Sequence, residues 1–355
     1  MNAGKLWWGQ IGSSISLLSR LTKNICTGKS TILHLGSKLP WKYDFYDMVN
    51  FRRTETAEGR RLMRTSWMEG ADPGEYVLKE FCSDTVIRRY WPGESYGAYL
   101  AGLPDLPLCD YIVWITGIRS KGDLHNWIRF VSEYETLGKS LSRRPVFVLE
   151  SEEEAEESCA LEQLPFQIAH HDCRVFCLEG AVALGNTKYP DYQAELALCL
   201  GDNNPELSHA LLVAGEDLLL EPADTLRAIL ASETDCQGYP FPDMEDSRIR
   251  SALWKAALVL LFPIIEQYRF HIIDTYRLGI ERELPIINPV EDRIDEPNDL
   301  EIGVLRHVAN KKSLALPSEE KRNIQFCYEA RNLMAHNKPV PYHLATALLA
   351  LQSQT

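Results

Sequence analysis

Six residues near the C-terminus, Arg331-Asn332-Leu333-Met334-Ala335-His336, set a permanent cation five positions before a titratable imidazole. Guanidinium forks grip phosphate oxygens through paired N–H donors, and imidazole is the side chain best suited to move protons near neutral pH. Together they suit cleavage of a phosphodiester, arginine holding the phosphate charge while histidine acts as acid or base. Residues 319–334 read as a helix that Pro339 and Pro341 stop soon after His336. The histidine thus belongs to a last helical turn, where the negative end of the macrodipole favours positive charge.

The same residues carry a family resemblance. Tyr328-Glu329-Ala330-Arg331-Asn332-Leu333-Met334-Ala335-His336-Asn337-Lys338-Pro339 resembles the R-N-x-x-x-H signature of HEPN domains. That resemblance implies a small helical bundle, often dimeric, acting as a metal-independent ribonuclease in toxin–antitoxin or phage-defence systems. It implies RNA as substrate, a homodimer through the C-terminal bundle, and no cofactor or metal. By the same resemblance, the ribose 2′-OH attacks the adjacent phosphate and leaves a 2′,3′-cyclic phosphate and a 5′-OH. His336 would serve as general base or acid, Arg331 would stabilise the phosphorane, and Asn332 would position the phosphate. Glu266 and Asp274 are candidates for orienting the pair.

A second pattern lies near the N-terminus, where Gly9-Gln10-Ile11-Gly12-Ser13-Ser14-Ile15-Ser16 resembles a Walker P-loop that has degenerated. Gly9 and Ser16 match the motif ends and Gly12 lies between them. Ser14 replaces the second glycine, and Ile15 replaces the phosphate-binding lysine. Without that lysine the β- and γ-phosphates lose their main cationic partner. The apolar run 111–117 ends in Thr116-Gly117 where a Walker B strand would end in a carboxylate, and Asp110 stands at its other end. The expectation is a P-loop-like domain deficient in hydrolysis, used for regulation or docking. Thr27-Gly28-Lys29-Ser30-Thr31 mimics the motif's end, but it follows a helix, leads into a strand and has Lys23 where the first glycine belongs. Gly28 there reads as a helix C-cap residue.

Two other clusters read as structural. In His170-His171-Asp172-Cys173-Arg174-Val175-Phe176-Cys177, a strand would set the two cysteines about 13 Å apart, too far for one zinc ion. The acidic run Glu150, Glu152, Glu153, Glu154, Glu156 and Glu157 reads as a solvated loop or helix start.

These residues need elements to hold them. Strand-like runs at 5–8, 31–35, 111–116, 145–149 and 174–178 alternate with helical patterns at 14–22, much of 43–63 and 123–137, which predicts a parallel sheet covered by helices. Residues 192–231 read as short helices. From Ser247 a long amphipathic helix runs through Trp254, Leu258, Leu261, Ile265, Tyr268 and Ile272, with Pro263 inside it. The predicted organisation is an α/β P-loop-like domain at 1–190, a helical lid and linker at 191–246, and an all-α HEPN-like bundle at 247–355. The chain has 355 residues, 45% of them hydrophobic, and nine cysteines without disulfide-framework spacing, which predicts a cytoplasmic protein with no membrane association. Its net charge of −13 divides into −14 before Ser247 and +1 after it. Such acidity opposes nonspecific duplex binding and leaves the N-terminal half as a surface for a protein partner. Arg306, Lys311, Lys312, Lys321 and Arg322 supply local positive charge ahead of the motif. A rival expectation follows from the lost lysine: a non-catalytic scaffold within a larger NTP-driven complex.

Overall fold

The computed structural model describes residues 2–56, 59–103, 108–137, 144–156, 158–287, 291–311, 314 and 316–352. They form two compact units that divide between Asp172 and Cys173. The sequence places boundaries at 190 and 246 instead.

In the first unit the chain runs α1 (Ala3–Gln10), α2 (Gly12–Cys26), β1 (Thr31–Leu35), α3 (Lys42–Glu55), β2 (Arg61–Ser66) and α4 (Pro73–Phe81). It continues through α5 (Asp84–Arg89), α6 (Tyr96–Ala101), β3 (Tyr111–Ile118), α7 (Lys121–Leu137), β4 (Val146–Ser151) and β5 (Glu162–Phe166). The strands make one parallel sheet in the order β2-β3-β4-β1-β5. β4 is buried at every position, as expected of an apolar strand covered on both faces. Alternation sorts the side chains between two layers. Val113, Ile115, Phe147 and Leu149 pack with Leu124, Trp127, Phe130 and Tyr134 of α7. On the opposite face Trp114 meets Phe45 and Tyr46 of α3, with ring centroids 6.0 and 5.3 Å apart.

Two predicted strands are helices. Residues 5–8 lie within α1, where Asn2 accepts a hydrogen bond from the Lys5 N–H as a side-chain cap. Trp7 and Trp8 are wholly buried there, so helical packing rather than β-propensity sets the conformation. Residues 174–178 lie within α8 (His170–Leu184), where Cys173, Phe176, Cys177 and Ala181 are buried at helical spacing. The helix expected over much of 43–63 ends at Glu55, and β2 begins at Arg61. Gly28 is a helix-ending residue as predicted. It takes φ of +74°, while the Gly28 and Lys29 N–H groups return to the Ile25 and Asn24 carbonyls.

At the opposite end of the sheet from the strand-to-helix turns, Ser30 accepts from the Phe147 N–H and donates to Glu135 of α7. Burial raises the Glu135 carboxyl above its ordinary value of 4.5, against the opposing hydrogen bond from Ser30. A carboxyl raised in the folded state contributes stability below its unfolded value and loses it as pH rises through the folded one. Glu135→Gln keeps an acceptor for Ser30 but removes the charge. Urea titrations should therefore show the variant gaining on the wild type as pH rises above about 4. An unchanged difference over that rise would refute this account.

The second unit is helical: after α8 come α9 (Pro190–Gly201), α10 (Pro205–Val213), α11 (Glu216–Leu220), α12 (Pro222–Ser232) and α13 (Asp246–Thr275). α14 (Arg277–Glu281), the two-residue strands β6 (Ile286–Ile287) and β7 (Arg293–Ile294), α15 (Ile302–Ala309), α16 (Ser318–Ala335) and α17 (Tyr342–Leu351) follow. α13 buries Leu253, Ala256, Ala257, Leu261, Ile264, Ile265, Tyr268 and Ile272 along one stripe, with Pro263 inside the helix. It packs against α9, α16 and α17, so residues 190–201 share the bundle's core rather than forming a lid apart from it. Arg269, almost fully buried, donates from Nη1 to the carbonyls of Asn298 and Leu300 at 3.0 and 3.1 Å, tying down the segment before α15. Among the described residues no helix is long and apolar enough to cross a membrane.

Candidate functional site

The end of α16 is shaped by its backbone. His336 is the C-cap, Asn337 follows with φ of +53°, and the Asn337 and Lys338 N–H groups return to the carbonyls of Met334 and Leu333 at 3.1 and 2.9 Å. This left-handed cap turns the chain sharply, and asparagine tolerates it better than most residues. Pro341 then opens α17, accepting from the Leu344 and Ala345 N–H groups at 3.0 Å. The Trp254 indole of α13 donates to the Met334 carbonyl at 2.7 Å and fixes the turn against the bundle.

The reversal builds a pocket of about 430 Å³. Glu329, Asn332, His336, Lys338 and His343 line it over Leu333 and Leu344. Asn332 and His336 are one helical turn apart and share a face. Arg331 does not join them. Five residues of α-helix turn a side chain about 140° away. Its Nη2 meets Glu301, the N-cap of α15, at 3.1 Å. Lys338 and His343 belong to this pocket without having been singled out in the sequence. The signal was available: a proline-bounded connection of a few residues must return the chain beside the helix end it leaves.

Other predicted contributors stand elsewhere. Glu266 pairs with Arg269 at 2.9 Å and Asp274 with Arg277 at 3.1 Å, within α13 and its C-terminal neighbour. Arg306 stacks on the Tyr328 ring at 3.9 Å, and Lys311 pairs with Glu283 at 2.8 Å. Arg322 lies 4.0 Å from Glu319. These cations are spent on local partners and do not gather at the pocket. Lys312 and Glu157 lie outside the described residues.

In the first unit Gly9 lies in the last turn of α1, Gly12 opens α2 and Ser16 lies within it. Among the described residues no strand precedes them, because residues 5–8 are helical, and Ile11 alone separates the two helices. The first strand-to-helix turn of the sheet is 36–41, between β1 and α3, at the carboxyl ends of the strands. That is where open parallel sheets receive ligands.

A buried carboxylate occupies this edge. Glu150, near the end of β4, is 1% exposed. It receives Lys42 Nζ at 2.6 Å, the Tyr46 hydroxyl at 2.8 Å and the Trp114 indole N–H at 3.3 Å. Burial, and then the adjacent Glu150, push the Tyr46 phenol far up, so it stays a donor. Arg64 lies over the Tyr46 ring at 3.8 Å. Glu150 is therefore not the solvated residue that the acidic run suggests. Trp41, just before Lys42, holds φ of +43° where a glycine would be unstrained.

Neither the protein-family models nor the curated proteins compared with this chain include a match. Cys173 and Cys177 lie one turn apart on α8, and burial lifts the Cys177 thiol far above its ordinary value, the chemistry of a packed side chain. Among the described residues no three His, Cys, Asp or Glu side chains are placed to hold a metal ion.

Proposed function

We propose that this chain is a metal-independent ribonuclease of HEPN type, belonging to a bacterial-type defence or toxin system, with a parallel-sheet domain that serves regulation or docking and does not hydrolyse nucleotide. The observation that carries the reading is the pocket at the end of α16, where Asn332 and His336 meet Lys338 and His343. It offers a proton-transfer group, an amide and a cation within reach of one phosphodiester, none of them needing a metal. The charge balance agrees, since the helical portion from Ser247 carries +1 while the rest carries −14.

Arg331 fits this reading through a second protomer. It faces away from its own chain's pocket, and its link to Glu301 is a partly exposed ion pair worth about 0–1 kcal/mol. A phosphate presented at a dimer interface would draw it off Glu301 readily. Mixing Arg331→Ala with His336→Ala protein should then restore cleavage that neither shows alone, because each supplies what the other lacks. Failure of the mixture, with both variants dimeric, would place Arg331 outside the chemistry.

The direct test is incubation of purified chain with RNA in the presence of EDTA, with the ends of the products mapped. Ends bearing 2′,3′-cyclic phosphate and 5′-OH support the reading, and intact RNA opposes it. One observation favours the rival scaffold: the cation at the sheet's carboxyl edge, Lys42, is already neutralised by Glu150. On that reading the chain copurifies with an active NTPase and cuts nothing.

A further inference from the structure

The helix ends around the pocket distinguish its two histidines. His336 caps the C-terminus of α16, while His343 lies in the first turn of α17, a helix of 10 residues. Negative charge accumulates at the first of these poles and positive charge at the second. The pocket thus brings two exposed imidazoles onto one open surface, one beside a negative helix pole and the other beside a positive one.

Resting on the ribonuclease reading, we infer that His343 is the second proton-transfer group of this site. His343 takes the proton from the ribose 2′-OH as the bond from the 2′-oxygen to phosphorus forms. His336 gives a proton to the 5′-oxygen as the bond from phosphorus to that oxygen breaks. One imidazole gains the proton that the other loses, so the charge of the pair is conserved and solvent resets both. Lys338 supplies positive charge for the non-bridging oxygens. Glu329 is the pocket's other candidate base, but it already accepts from the Gln325 amide at 2.6 Å.

The experiment compares the full-length wild type with His343→Gln and His336→Gln on two short RNAs. One RNA is ordinary, and the other carries sulfur in place of the bridging 5′-oxygen at a single linkage. Sulfur leaves without needing a proton, so the modified linkage bypasses the general acid. Each variant should lose about 100-fold or more on ordinary RNA. His336→Gln should regain near wild-type rates on the sulfur-bridged linkage, and His343→Gln should not. A His343→Gln enzyme at wild-type rate, or one rescued by sulfur, would overturn this assignment and leave the ribonuclease reading standing. A wild type that cleaves neither RNA would remove both.

Discussion

Lys42→Met is expected to destabilise the sheet unit by about 3 kcal/mol. Glu150 is 1% exposed, and Lys42 is its only cationic partner among the described residues, at 2.6 Å. Removing the ammonium leaves an ionised carboxylate in the sheet's carboxyl edge with only two neutral donors, Tyr46 and Trp114. Breaking a buried pair in this way costs more than the pair itself contributes, because the remaining charge is stranded. The low end of the usual range applies, since the Lys42 side chain is 23% exposed and water reaches it. Adding Glu150→Gln should recover most of the loss, because a neutral amide still accepts from the phenol and the indole. Tryptophan fluorescence in urea can follow this, as Trp254 is the one tryptophan of the eight outside the sheet unit. A loss below about 0.5 kcal/mol, with no recovery in the double variant, would show the pair to be structurally idle.

That edge illustrates where sequence reading stops. β1, β3 and β4 are legible because central parallel strands must be apolar on both faces, and 31–35, 111–116 and 145–149 are nearly continuous apolar runs. The edge strands are not. β2 reads Arg-Leu-Met-Arg-Thr-Ser with half of its positions exposed, and β5 carries Pro165. Pairing with a neighbour, rather than composition, makes them strands. Gly9 and Ser16 resemble a phosphate loop only while 5–8 is taken as a strand, and Asn2 capping a helix over buried tryptophans removes that premise. The pairing of Lys42 with Glu150 joins residues 108 positions apart, beyond the reach of any local pattern.

In the bundle, local spacing placed Asn332 and His336 together because one helical turn separates them. It could not place Arg331, whose direction is set by Glu301, 30 positions away. Nor could it bring His343 back beside His336 without the left-handed cap at Asn337. Helical periodicity reports which residues share a face, while the partners across the fold decide what that face meets.

His336→Ala should lower RNA cleavage by a factor of about 10² to 10⁴ while leaving the bundle's stability nearly unchanged. The two halves of that expectation have separate causes. His336 is exposed, and its contribution to the fold is through the backbone, whose N–H closes the last turn onto Asn332 and Leu333 at 3.2 and 3.1 Å. Alanine keeps that N–H, and the left-handed step falls on Asn337, which is untouched. Substitutions at such exposed positions stay within about 0.5 kcal/mol. On the proposed ribonuclease reading, removal of the imidazole deprives the pocket of one of its two proton-transfer groups and leaves Lys338 only to hold phosphate charge. A rate loss with an unshifted urea midpoint would assign His336 to the chemistry. An equal loss of rate and stability would return it to the role of a helix cap, and the pocket would then need another explanation for gathering two histidines and a lysine.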